Sequence, residues 1–124
     1  MGQITPDYNP TGASKGNSIL LMNAQSVDET KGTVVCPGPG IRNHTFTIKT
    51  SAAVTGAIIL EAADDPLYTG VWSPLQAAID VATIGPAAAG ELEVSISNRM
   101  IIAARPRIST VIAGGTVSVT YTGQ

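Results

Sequence analysis

The chain has 124 residues and a mass of 12.7 kDa, room for one domain. Hydrophobic residues make up 44% and charged residues 13%, about half the usual share of about 25%, a balance that excludes disorder of the whole chain. A net charge of −2 with a pI near 5.1 excludes a basic nucleic-acid footprint, and a lone cysteine, Cys36, excludes an intrachain disulfide or a cysteine-rich zinc site.

Residues 1–18 are punctuated by Pro6, Pro10, Gly12 and Gly16 and have no apolar period, which predicts an extended N-terminal arm. They also lack the basic and apolar regions of a secretory signal, and no apolar run reaches the about 20 residues of a membrane span. A non-secreted, non-membrane protein is the expectation. Residues 19–124 read as a single β domain. Ile19-Leu20-Leu21-Met22 is a short apolar run, followed by a polar turn around Asp28–Gly32. Thr33-Val34-Val35-Cys36 is another, stopped by Pro37-Gly38-Pro39-Gly40. His44 to Thr50 alternates, with Phe46 and Ile48 on one face and threonines on the other. Gly56 to Ala63 predicts a buried strand ended by Asp64-Asp65-Pro66. Ser73 to Asp80 fits either a helix capped by Ser73, with Pro74 in the first turn, or a strand after a turn.

Glu91 to Ile96 alternates strictly, with Leu92, Val94 and Ile96 expected inward. Arg99 to Ala104 is apolar on both faces, as in a central strand or one covered by a neighbouring subunit. Ser97-Asn98 would close a two-residue hairpin between them, or with Arg99 a three-residue loop with Asn98 left-handed. A Gly114-Gly115 turn would pair Ile112 with Val117, Thr110 with Val119 and Ile108 with Tyr121, sorting apolar from polar residues without adjustment. Short strands at this spacing, with Gly and Pro turns between, predict an all-β fold, a β-sandwich or barrel, and an antiparallel β-sandwich of jelly-roll-like form is the expectation.

Little here is equipped for catalysis. His44 is the only imidazole, and although Asp64, Asp65 or Asp80 and many hydroxyls could complete a triad on paper, no nucleophile-elbow motif is present. A surface or rim position is expected for it. Cys36 has no partner at metal spacing and reads as a small buried apolar residue. Asp64-Asp65 reads as a turn rather than a calcium site. Trp72, with Tyr68 four residues earlier, could stack on a sugar but reads first as a core plug or interface anchor. Arg42, Arg99, Arg105 and Arg107 make weak evidence for phosphate in an acidic chain. Asn43-His44-Thr45 matches a glycosylation sequon, irrelevant without secretion. No catalytic, cofactor or metal residues are therefore assigned. The scarcity of charge suits a surface packed against neighbours, and the expected contacts are Trp72, Ile101, Ile102 and, in the arm, Tyr8.

A pattern of short pieces spans most of residues 46–121: Phe46-Thr47-Ile48, Gly56 to Glu61, Asp64-Asp65, Trp72-Ser73-Pro74-Leu75, Arg105-Pro106-Arg107, and Gly114-Gly115-Thr116-Val117. It resembles small β-sandwich virion proteins of tailed bacteriophages, in which a strand ending in Glu precedes an acidic turn and a Trp-containing strand. The sequence departs from that pattern at Ala62–Pro66, where the usual Ser-x-Asp-Gly turn is replaced. The resemblance implies a non-enzymatic capsid decoration (cement) protein at the capsid surface, assembled in the host cytoplasm. Its partners would be the major capsid protein and further copies of itself as a dimer or trimer, without direct contact to nucleic acid or membrane. The alternatives are a tail or baseplate component and a carbohydrate-binding β-sandwich module.

Overall fold

The computed structural model describes residues 11–13, 16–38, 40–64 and 72–124. The chain folds as an all-β sandwich of two sheets. One sheet holds β1 (Thr11–Ala13), β3 (Val35–Pro37), β9 (Ala103–Ala113), β5 (Thr55–Ala63), β6 (Ser73–Pro74) and β7 (Ile79–Asp80). β9 and β5 form its centre; β6 and β7 pair with successive parts of β5. The other sheet has the order β2 (Ser18–Gln25), β10 (Val117–Gly123), β4 (His44–Thr50) and β8 (Glu91–Ile96). All pairings are antiparallel except that of β1 with β3.

Alternation places one face of each long strand in the core. Phe46 and Ile48 from β4, Ile58 and Leu60 from β5, Ile108 from β9, and Val117, Val119 and Tyr121 from β10 lose all contact with water. Phe46 and Tyr121 meet edge to face at 5.2 Å between ring centres, the arrangement that aromatic quadrupoles favour. Gly56 has a φ of 124°, and a Cβ there would come within 2.5 Å of Val111 O where the β5–β9 register shifts, so a side chain is excluded on both grounds.

Several expectations need correction. Neither predicted hairpin forms: β8 and β9 lie in different sheets, as do β9 and β10. The Gly114-Gly115 turn therefore carries the chain across the core, and Ile108 faces Ile58, not Tyr121. Alternation identifies the buried faces correctly but not the neighbours, because two strands stacked face to face show the same pattern as two strands side by side. Asn98 is left-handed, with a φ of 52°, although its turn joins two sheets. The 99–104 segment becomes strand only at Ala103; Ile101 enters the main core, while Met100 and Ile102 face outward. Residues 73–80 form two short strands, followed by a 3-10 turn at Val81–Thr83 capped by the Asp80 carboxylate. Leu92, expected inward, is 37% exposed because β8 is an edge strand. Within the segment expected as an extended arm, Thr11–Ala13 pair with β3 as β1, and β2 starts at Ser18.

Candidate functional site

Three of the four ion pairs among the described residues lie on the outer face of the β5–β9 sheet. Register sets Glu61 opposite Arg105 and Ile59 opposite Arg107. Strand period does the rest, since Arg105 and Arg107 point to the same side. Glu61 is 4% exposed and accepts from both guanidinium groups, Arg105 Nε at 2.8 Å and Arg107 Nε at 3.2 Å. Arg107 Nη1 also reaches Glu29 at 3.0 Å, and the Arg105 guanidinium lies 4.1 Å from the Trp72 ring centre. The ladder runs Glu29–Arg107–Glu61–Arg105–Trp72, alternating in sign before ending on a π face.

Trp72 packs with Val34, Ala63, Ala103 and the half-buried Cys36 in a small second core on this face. That explains why residues 103–104 are buried on both sides without a subunit neighbour: Ala104 belongs to the main core and Ala103 to the second. Burial pushes the Cys36 thiol pKa up, away from reactivity. Sequence reasoning misses Glu61. Its signal is nevertheless present, since Ile58 and Leu60 face inward and so force Glu61 outward, away from the main core.

His44 is not at the rim as expected. It is 1% exposed, inside the end of the core. Its Nε2 lies 2.8 Å from Arg99 O, and because a carbonyl can only accept, the neutral ring carries its proton there. Nδ1 then accepts from the Tyr121 hydroxyl at 2.7 Å. Burial lowers the His44 pKa, an effect opposed by the backbone hydrogen bond and aided by the Arg99 charge; burial also pushes the Tyr121 hydroxyl up to about 12. A Cβ on Gly123 would stand 2.7 Å from that hydroxyl, so the pair needs glycine beside it. Both ring nitrogens are thus engaged within the fold, and His44 ties β4 to the loop carrying Arg99.

The outer face of the second sheet is chemically different. Register lines up Ser18, Thr122, Thr45 and Ser95 in one row across all four strands, then Leu20, Thr120, Thr47 and Glu93 in the next. The Ser18 and Thr122 hydroxyls lie 2.8 Å apart. Hydroxyls fill the first row, whereas the second ends in Glu93 and a third row sets Ser118 beside Lys49 and Glu91, so charge gathers toward β8.

The remaining sequence candidates are dispersed. Asp64 is exposed, Asp80 caps the 3-10 turn, and among the described residues no three His, Cys, Asp or Glu side chains gather as a metal site. Arg42 and Arg99 lie side by side on neighbouring loops, joined by Arg99 N donating to Arg42 O at 2.9 Å, away from the Arg105–Arg107 pair. Of the expected contact residues, Trp72 is buried, Ile101 belongs to the core and Ile102 is 38% exposed. Tyr8 lies outside the described residues, as do Asp65 and Tyr68. No helix among the described residues is long and apolar enough to cross a membrane. Comparison with protein-family models, with curated proteins and with solved structures finds no match.

Proposed function

We propose that this chain is a non-enzymatic structural protein of a virus particle, a capsid decoration (cement) protein that binds the major capsid protein shell. The observation that carries the binding reading is the surface of the four-stranded sheet. On its β2–β10–β4 part the hydroxyls of Ser18, Thr45, Thr47, Thr120 and Thr122 can leave water and find new hydrogen-bond partners at far lower cost than charges can. Arg105 and Arg107 are meanwhile neutralised within the fold by Glu61 and Glu29. The only imidazole is enclosed with both nitrogens engaged, which supports a part that binds rather than one that turns over. The resemblance across residues 46–121 supports a place in a phage particle. In that role the protein would sit across junctions between shell subunits, and small contact energies repeated over many copies would offset outward pressure from packaged nucleic acid.

The sugar-binding reading loses support at Trp72. Its ring is buried beneath Arg105 and cannot offer an open stacking face. Quantitative mass spectrometry of purified particles tests the proposal by copy number relative to the major capsid protein. Hundreds of copies per particle, and heat-fragile particles when the protein is omitted, are expected. A handful of copies would move the protein to the tail or baseplate, and absence from particles would overturn the reading.

A further inference from the structure

Between the β3–β4 loop and the segment entering β9 lies an apolar groove of about 260 Å3, lined by Pro37, Gly38, Ile41, Met100 and Ile102 over Ile101. Met100 is 64% exposed, and no charged side chain lines the groove. Arg42 and Arg99 follow and precede two of its lining residues, Ile41 and Met100, and their loops are held together at the Arg99–Arg42 backbone hydrogen bond. Both arginines are exposed, and among the described residues neither makes an ion pair. Segments 37–44 and 97–102 contain no Asp or Glu. An apolar floor beneath two uncompensated cations suits an aliphatic side chain flanked by carboxylates.

The chain carries such a segment itself. β8 pairs with β4 alone, so its other edge is unpaired among the described residues. Along that edge run Glu91-Leu92-Glu93, Leu92 on the core side and both glutamates exposed on the outer side; Glu93 has no ion pair among the described residues and Glu91 has only a loose one to Lys49 at 3.9 Å. One molecule cannot fill its own groove in this way. Leu92 lies about 13 Å before the end of β8 at Ile96, at about 3.3 Å per residue, and Arg99 lies beyond that end, past the Ser97-Asn98 turn.

We propose that a second copy of this chain seats its Glu91-Leu92-Glu93 edge in this groove, Leu92 on the Met100–Ile102 floor and the glutamates against Arg42 and Arg99. The contact is head to tail, so it propagates from copy to copy and closes into a ring or continues as a filament. It goes beyond the virion reading and stands without it. Sedimentation velocity of the full chain over a concentration series tests it. Self-association that weakens as salt rises is expected, because the rim contacts are exposed charges. The double variants Arg42→Glu/Arg99→Glu and Glu91→Arg/Glu93→Arg should each weaken association more than about tenfold by placing like charges together. Circular dichroism and thermal unfolding should stay unchanged. Mixing the two variants should restore association, since each groove then meets an oppositely charged edge. Met100→Ser/Ile102→Ser should also weaken it, with no change in charge. A wild-type chain that stays monomeric throughout, association that survives both reversals, or a mixture that fails to recover would each overturn the proposal.

Discussion

The two outer sheet faces solve the same problem in opposite ways. Each strand has one apolar face for the core, so each sheet has a second face that must suit its surroundings. The four-stranded sheet covers that face with Thr45, Thr47, Thr120 and Thr122, which remain partly open to water. The β5–β9 sheet buries the part of its second face around Trp72, Ala63 and Ala103, and burial there brings in a carboxylate. Glu61 is tolerable only because two guanidinium groups satisfy it, one of which is itself laid on Trp72. Polar residues are therefore interchangeable on one face and interdependent on the other.

The sharpest way to break this contrast is Glu61→Ala. It strips Arg105 of its carboxylate and leaves Arg107 with Glu29 alone, and the expected loss is about 3 kcal/mol in urea unfolding, near the low end for a severed buried pair because both arginines retain some solvent. A loss below about 0.5 kcal/mol would put the ladder in the class of surface salt bridges.

His44 lies between the extremes, enclosed yet uncharged. His44→Ala should cost about 2 kcal/mol, since Tyr121 and the Arg99 carbonyl both lose a buried partner. The same residue predicts a pH dependence. Burial holds the folded His44 pKa below its ordinary value of 6.5, so as pH falls through 6.5 the unfolded chain takes up a proton that the folded chain resists. Stability from this group is complete above 6.5 and is lost as pH drops toward the folded value. With one histidine in the chain, His44→Gln should remove that slope, and unfolding curves collected between pH 7 and 5 would show it.

The smallest effect belongs to the hydroxyl face. Thr47→Ala should change stability by no more than about 0.5 kcal/mol, because the side chain stays in contact with water. A larger loss would mean that the rows are cooperative, and the two faces would then differ less than their chemistry suggests.

Much of the fold is legible in the amino-acid sequence alone. Period-two patterning identifies Phe46, Ile48, Val94 and the inward sides of residues 107–121, and the uncharged composition points to β structure with hydroxyl-rich faces. Asn98 is left-handed, as in one of the two turns that the sequence allows there, although the hairpin that such a turn would close does not form. These features depend on each strand's own alternation or on a few adjacent residues, so they survive whatever the strands later pair with. Pairing itself belongs to the tertiary structure. The Gly114-Gly115 and Ser97-Asn98 turns cross between sheets, and it is the partnership of β9 with β5 that brings Glu61 to Arg105 and Arg107 from 44 and 46 residues away. Enclosure of His44 likewise requires β10 to deliver Tyr121 and the 97–102 loop to deliver a carbonyl. Alternation states which side of a strand avoids water; only the closed sandwich decides which distant strand shares that side.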